Sequence, residues 1–585
     1  MDAAGTIIDV TEFGADPNGS ADSTPAIAAA LAAASTAAGP VTVDFPPGRY
    51  ELWPESASRR ELDVTNTVGD DERFRVKTIA VLIENADRLT LRGDGALLRT
   101  HGRQTAIAVL DSTDVTIAGI AIDYAVPTVV DATVVETGVE DGHGYCVVCI
   151  PETNPFRVEG RSVVWTGGAS PETGQPYWEG RDGMAYTQMH DPVAQRTWRV
   201  DGSPLFEGVE RLRRDGRRLR IEYATAEEPD TRGLVFQMRD TVRDHPGVLF
   251  SECTGVVLRD VQAHYLHGLG VVAQLCRDVT IDRVTFRAPR KQGRSSAAFA
   301  DFLQLASLEG DVVIRGCVFD GPHDDPINVH GSYLAVTAVG DDTLALSYPH
   351  PETSGLPVLR VGDDIEVVDA RTLRRVAGPL AVLTVDGPSG RDRDHDPRTA
   401  TITLAAPLPP GLTGREGLVV ENVTRTPAVS IAGNRFVNVP TRGILVTTRR
   451  PVRIESNVFD GITMAGVFIA GDAVDWYESG PVHDVRIRGN RFLRVDAPAV
   501  LVAPSTAGAG GTGARVHGRI VVEENLFETA AGPVVDAHDV AELVVRANAI
   551  DVAEGDAVRS SAVDRSTVEG NGPHQSWTVP SASRL

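Results

Sequence analysis

The chain has 585 residues, is 42% hydrophobic and carries 57 Gly and 36 Pro, a composition that allows a large core and many turns. Its net charge of −24 argues against nucleic acid and anionic membrane as partners, since both would be repelled. The cations are nearly all arginine, Lys77 and Lys291 being the two lysines, and five cysteines in this length are too few for a disulfide framework.

The start, Met1-Asp-Ala-Ala-Gly5, has no basic segment followed by an apolar one, so no signal peptide is visible, and no apolar run approaches the ~20 residues that cross a bilayer. Residues 9 to 50 read as an entry cap. Asp9 to Gly19 is a strand and turn, and Asp22-Ser-Thr-Pro25 opens an alanine-rich helix with Ser23 or Thr24 as N-cap, ended by Gly39-Pro40. Short alternating strands follow at Leu89-Thr-Leu91 and Val115-Thr-Ile117, then at Val256-Val-Leu258, Val279-Thr-Ile281 and Val312-Val-Ile314.

In the second half the phrase sharpens: Val429-Ser-Ile-Ala-Gly-Asn434, Val452-Arg-Ile-Glu-Ser-Asn457, Val485-Arg-Ile-Arg-Gly-Asn490, Ile520-Val-Val-Glu-Glu-Asn525 and Leu543-Val-Val-Arg-Ala-Asn548. Phe436, Phe459, Phe492, Phe527 or Ile550 comes two residues after each Asn, and Asn571 lies 23 beyond Asn548. A 23-residue unit with occasional loop insertions, built of short strands, cannot bury its apolar face alone and must stack on its neighbours. The expected fold is a parallel β-helix, all-β, with the asparagines bonded from coil to coil. Cys253 and Cys276 are one unit apart and should be neighbouring buried thiols, whereas the Cys146, Cys149 pair sits in a Val-rich strand with no second pair for zinc.

Two stretches, 126–248 and 332–425, alternate without the asparagine phrase and read as inserted antiparallel β-barrel or sandwich domains. The divisions are thus 1–125 for the cap and first coils, 126–248 for the first insertion, 249–331 for further coils, 332–425 for the second insertion, and 426–585 for the C-terminal coils. Within the second insertion, Gly390 to Pro397 reads as a solvated hairpin tip.

Asp324 and Asp325 follow Asp301 by 23 and 24 residues, so stacked coils bring the three acids together. Leu303 and Leu305 match Ile327 and Val329 as inward residues, which leaves Gln304, Asn328 and His330 outward on the same face, bordered by Arg442 in the next coil. An arginine in the position of Arg442 is more often plain surface charge than a substrate contact. Three crowded acids cannot all ionise easily, and a cleft with protonated and ionised carboxylates suits acid and base catalysis at a glycosidic bond. Trp476 and Glu478 occupy a loop between coils and either hold a sugar or anchor the loop. His264 and His267 line the groove or serve as structural polar residues, and Lys291 and Arg294 fall in the insertion before Asp301, within reach of the substrate rim.

The run His323-Asp-Asp-Pro-Ile-Asn-Val-His-Gly331, with Asp301 one coil earlier and Gly471-Asp-Ala-Val-Asp-Trp-Tyr-Glu-Ser-Gly480 later, resembles glycoside hydrolase family 110, the α-1,3-galactosidases of the pectate-lyase-like β-helix superfamily. The resemblance covers most of the chain. It implies a right-handed β-helix with a helical cap and two inserted barrels, and an inverting exo-hydrolase of terminal α-1,3-linked galactose on glycans such as blood group B antigen. It further implies Asp301, Asp324 and Asp325 as catalytic acids, no metal or other cofactor, and a secreted or extracellular enzyme; a homodimer is compatible with it. By analogy with three-acid β-helix hydrolases, Asp324 is the general acid and Asp301 with Asp325 orient water, the reverse assignment remaining open. The Gly-His-Gly and Arg-Ile-Lys signatures expected of polygalacturonases do not follow the Asp pair. The competing readings are a polygalacturonase-like enzyme, a lyase or uronate epimerase, and a noncatalytic glycan-binding solenoid. An acidic strip with few cations argues against the lyase.

Overall fold

A short strand that alternates apolar and polar side chains buries one face and leaves its backbone edges open, so its partners must come from other copies of the same unit. In the computed structural model, which describes residues 5–68, 71–389, 395–496, 498–506, 513–529, 531–552 and 556–573, those partners are successive coils of a parallel β-helix. One coil consists of Thr254–Arg259, Gln262–Ala263 and Leu269–Gln274, and the next begins at Arg277–Asp282. Val256 pairs with Val279, Gln262 with Thr285 and Val248 with Val271, all in parallel. Three parallel sheets result, and the one through Gln262–Ala263 has 12 strands.

The enclosed column holds Leu258, Ile281, Ile314, Ile431, Ile454, Ile487, Val522 and Val545 in vertical file. Each such side chain contributes roughly 1.5–3 kcal/mol when fully buried. Beside them the rings of Phe436, Phe459, Phe492 and Phe527 stack with centroids 4.6, 4.7 and 4.9 Å apart, so one strand spacing also sets the aromatic spacing.

At one corner Asn434 donates to Asn457, Asn457 to Asn490, Asn490 to Asn525 and Asn525 to Asn548, each Nδ2 to Oδ1 contact being 3.0 Å. Every amide in the file also donates to a backbone carbonyl, as Asn490 does to Ile454 O at 2.8 Å. Buried corner groups that would otherwise be orphaned are thereby paired. Cys317 occupies the same corner one coil earlier and its amide donates to Asn434 Oδ1 at 2.8 Å. Cys253 and Cys276 are buried free thiols, with the Cys253 amide 3.4 Å from Cys276 Sγ.

The helix Thr24–Thr36 packs Ala26, Ile27, Ala30 and Ala34 onto the first coils. Ser23 is its N-cap residue without making a side-chain capping bond; its Oγ accepts instead from Asp16 N at 3.0 Å, and Asp22 Oδ1 accepts from Thr24 N at 2.9 Å.

Two antiparallel bodies branch from the coils. The first is a seven-stranded sheet with a three-stranded companion, and its own core includes Val130, Val148, Trp165 and Phe236. The second begins where strand Ile327–Val339 leaves the helix: Ile327 pairs with Leu303 in a coil, while Tyr333 already pairs antiparallel with Glu421. Thr343–Ser347, Thr399–Leu404, Arg374–Asp386, Asp364–Asp369 and Leu418–Asn422 then pair in turn and return to it, closing a barrel. In the hairpin expected at Gly390 to Pro397, residues 390–394 lie outside the described residues.

Candidate active site

Leu303 pairs with Ile327 and Gln304 with Asn328, so Asp301 and Asp325, each two residues upstream, stand level on adjacent coils. The backbone closes the match: Phe302 N donates to Asp325 O at 3.2 Å, and Gly270 N to Asp301 O at 2.8 Å. Gly321 opens the turn that carries Asp324 and Asp325. Its φ of 75° and the position of an added Cβ, 2.2 Å from Ser295 O, leave no room for a side chain there.

The three acids differ in environment. Asp301 is 6% exposed, and burial first, then the charges of Asp324 and Asp325, raises its carboxyl well above the ordinary range. Burial raises Asp325 as well, against the opposing pull of Arg442, whose Nε lies 3.0 Å from Oδ1 and Nη2 2.8 Å from Oδ2. Asp324 is the most open of the three, with 22% of its side chain exposed, and Arg199 Nη2 donates to its Oδ1 at 2.9 Å. The Arg442 guanidinium also stands 3.9 Å from Asp324 Oδ1.

Arg199 comes from the first inserted body, and the register explains its reach. Asp131, Gln237, Gln188 and Arg199 lie in one row across four antiparallel strands, with Arg239 and Tyr186 paired in a parallel row. The opposite face of these strands supplies Phe236 and Met238 to the inserted core, so the polar row turns toward the β-helix. Gln188 Nε2 donates to Pro322 O at 3.1 Å and to Gln237 Oε1 at 2.7 Å, and Gln237 Nε2 donates to Ser295 Oγ at 2.7 Å. Arg239 lies 4.0 Å over the Tyr186 ring and 4.7 Å over Phe299. Burial pulls its pKa down to about 10, which leaves it cationic at neutral pH.

On the other side, strand Glu478–Ser479 pairs antiparallel with Gly331 and Ser332 and lays Glu478 over the polar strip. Glu478 Oε1 accepts from Asn328 Nδ2 and Asn66 Nδ2, each at 3.2 Å, and lies 3.5 Å from His330 Nε2. His330 Nδ1 is 2.7 Å from Gly331 O and therefore carries its proton, which leaves Nε2 to accept from Gln304 Nε2 at 2.7 Å. Gln304, Asn328 and His330 thus point away from the core as expected but are covered. Trp476, 39% exposed, stacks on His350 with centroids 4.4 Å apart, and the Arg243 guanidinium stands 5.4 Å over its ring.

Several expectations need correction. His267 does not line the hollow: it is fully buried, with Nδ1 2.7 Å from Thr128 Oγ1 and Nε2 2.5 Å from Asp244 Oδ1, so both ring nitrogens are engaged. Arg294 is buried against Asp123 through two 2.9 Å contacts, and Lys291 lines a different cavity. The strip is not poor in cations either, because Arg199, Arg239, Arg243 and Arg442 all act on the acids or their immediate neighbours. Arg199, Tyr186, Arg239, Arg243 and Asn66 escaped notice in the sequence. The one available signal was alternation within Val235–Arg239, where Gln237 and Arg239 interleave with the apolar Phe236 and Met238.

Two buried carboxyls whose pKa values are raised, a more accessible one paired with arginine, and an adjoining Trp and Glu can carry acid–base hydrolysis of a sugar bond. A family profile described as rhamnogalacturonase A/epimerase, pectate lyase-like, matches residues 7–64. The chain is 48% identical over 548 residues to α-1,3-galactosidase A of Streptomyces avermitilis, covering 93% of this chain and 87% of that protein. It is 44% identical to α-1,3-galactosidase A of Peterkaempfera griseoplana, covering 98% and 81%, and 36% identical to that of Bacteroides thetaiotaomicron, covering 86% and 84%. With identity of this order along nearly the whole β-helix and both inserted bodies, the chain belongs to the α-1,3-galactosidase family of glycoside hydrolases.

Proposed function

We propose that this enzyme removes terminal α-1,3-linked galactose from glycans by a single displacement with inversion, and that Asp301, Asp324 and Asp325 carry the reaction. Blood group B-type chains and linear α-1,3-galactosides are the substrate class. The observation that carries the reading is the division among the acids: two buried carboxyls with raised pKa values on adjacent coils, and a third, more exposed one beside Arg199.

The leaving sugar departs toward solvent, so the group that protonates the glycosidic oxygen belongs on the open side, which favours Asp324 as general acid. Arg199 would then release Asp324 as substrate docks, since an acid must hold its proton before the bond breaks. Asp301 and Asp325 share the buried side and would orient and deprotonate water; a base with a raised pKa has more driving force for that transfer. The water oxygen bonds to C1 as the C1–O bond breaks, and the proton lost by water balances the one given to the leaving oxygen. Such a mechanism needs ~6.5–9.5 Å between acid and base to admit the water. Trp476 and Glu478 are suited to an apolar sugar face and its hydroxyls. The inserted bodies at 126–248 and 332–425 serve in this reading as walls that limit the hollow to a chain end, and the coil is right-handed, the usual hand of parallel crossovers.

The test is hydrolysis of α-1,3-galactobiose with the released galactose followed by NMR from the first turnover. Initial appearance as the β anomer supports inversion, and initial appearance as the α anomer overturns it.

A further inference from the structure

A second cavity, of about 1150 Å3, opens on the outer side of the N-terminal coils and shares no residue with the acid hollow. Arg49 and Arg99 reach it from the strands Gly48–Leu52 and Ala96–Thr100, Arg217 from the first inserted body, and Lys291 from the short turn Arg290–Gln292. Ligand pockets span roughly 300–1,000 Å3, so the space admits more than one sugar ring.

Its walls are unusual for a chain of net charge −24. The cations Arg49, Arg99, Arg217 and Lys291 line it together with the carboxylates of Asp123 and Glu152, and Glu51 adjoins it through its ion pairs with Arg49 and Arg99. Asp123 is already neutralised by Arg294 at 2.9 Å, and Glu51 is held by Arg49 at 2.8 Å, Arg99 at 3.3 Å and His101 at 2.5 Å. Arg217 spends one donor on the Ile150 carbonyl. Lys291 is exposed and has no ion-pair partner among the described residues. Positive charge is therefore in local excess, and low-dielectric walls concentrate its field.

The floor is flat and apolar. The Trp53 ring lies parallel to the His101 imidazole, with centroids 3.6 Å apart and 8° between planes, so its orientation is fixed before any ligand arrives. Val126, Ile150 and the exposed Val135 line the same cavity. A fixed aromatic plate beside an apolar strip takes the C–H face of a pyranose, and a free ammonium with nearby guanidinium groups takes an anion.

We propose that this cavity is a noncatalytic binding site for an anionic sugar, a pyranose bearing a carboxylate or a sulfate. Occupied by an acidic residue of a glycan, it would hold the enzyme on that glycan and raise the local concentration of chain ends. The proposal does not depend on the catalytic assignment, because binding is measured without turnover.

The full chain is titrated calorimetrically with digalacturonate, with galactose 6-sulfate and with neutral β-1,4-galactobiose. Binding of either anionic probe, absent for the neutral one and weakened at least about tenfold by Lys291→Glu, supports the site, and the probe that binds identifies the anion. Trp53→Ala should weaken the same binding, while hydrolysis of α-1,3-galactobiose by Lys291→Glu stays at the parent rate. Failure of both anionic probes to bind, equal binding of the neutral disaccharide, or binding indifferent to Lys291→Glu would each overturn the proposal.

Discussion

Arg199 Nη2 sits 2.9 Å from Asp324 Oδ1, a contact between an inserted sheet and a β-helix turn 125 positions later in the chain. The hollow that holds the three acids is therefore assembled from two bodies, and its most open acid is ion-paired to the inserted one. Arg199→Ala should lower kcat/KM on α-1,3-galactobiose by ~10- to 100-fold, or about 1.4–2.7 kcal/mol of barrier, with an unchanged far-UV spectrum. An effect below about threefold would remove Arg199 from the machinery.

Acid and base roles separate by leaving group. Asp324→Asn should lose ~10³-fold or more on galactobiose but recover most of its rate on an α-galactoside with a nitrophenyl leaving group, which departs without a proton. Asp301→Asn and Asp325→Asn should stay slow on both substrates. Recovery in Asp301→Asn instead would exchange the roles.

The raised pKa of Asp301 has a sign in stability. Its folded carboxyl binds a proton more tightly than the unfolded one, whose pKa is about 3.9, so it costs nothing at low pH and destabilises the fold as pH rises through the folded value. Asp325 shares this direction, and the pair titrates as a unit. Asp301→Asn should therefore raise thermal stability at alkaline pH, by on the order of 1 kcal/mol, and the gain should vanish near pH ~4. Melting curves of both proteins across pH provide the check; a gain that grows on acidification would reverse the assignment.

The asparagine file carries a separate expectation. Asn490 donates to Ile454 O and Asn525 Oδ1, and its own Oδ1 accepts from Asn457. Asn490→Ala would orphan groups in two coils at ~1–3 kcal/mol each, so urea denaturation should show a loss of about 3 kcal/mol with little change in activity. A loss under about 0.5 kcal/mol would mean that water replaces the amide.

Much of this was legible in the sequence because a solenoid converts spacing into height. The interval between Asp301 and Asp325, and the one separating most asparagines, each amount to one coil, so periodicity alone brought the acids to one wall and the amides to one corner. What lay outside the period was not legible. Arg199, Tyr186 and Arg239 belong to antiparallel strands whose docking on the turn at Pro322 is set by side-chain pairing between bodies, and no local pattern encodes that. His267 misled for the same reason: the stretch Ala263 to Gly268 shows that a histidine is present but not that Asp244 and Thr128 close over it.

The proposed mechanism requires that the three carboxylates act at one bond. Steady-state hydrolysis of α-1,3-galactobiose by Asp301→Asn, Asp324→Asn and Asp325→Asn, each verified as folded, tests this most directly. The prediction is a loss of at least ~10³-fold in kcat/KM for every one of the three, about 4 kcal/mol of barrier. Retention of a rate within about threefold of the parent by any of them, under ~1 kcal/mol, would contradict it.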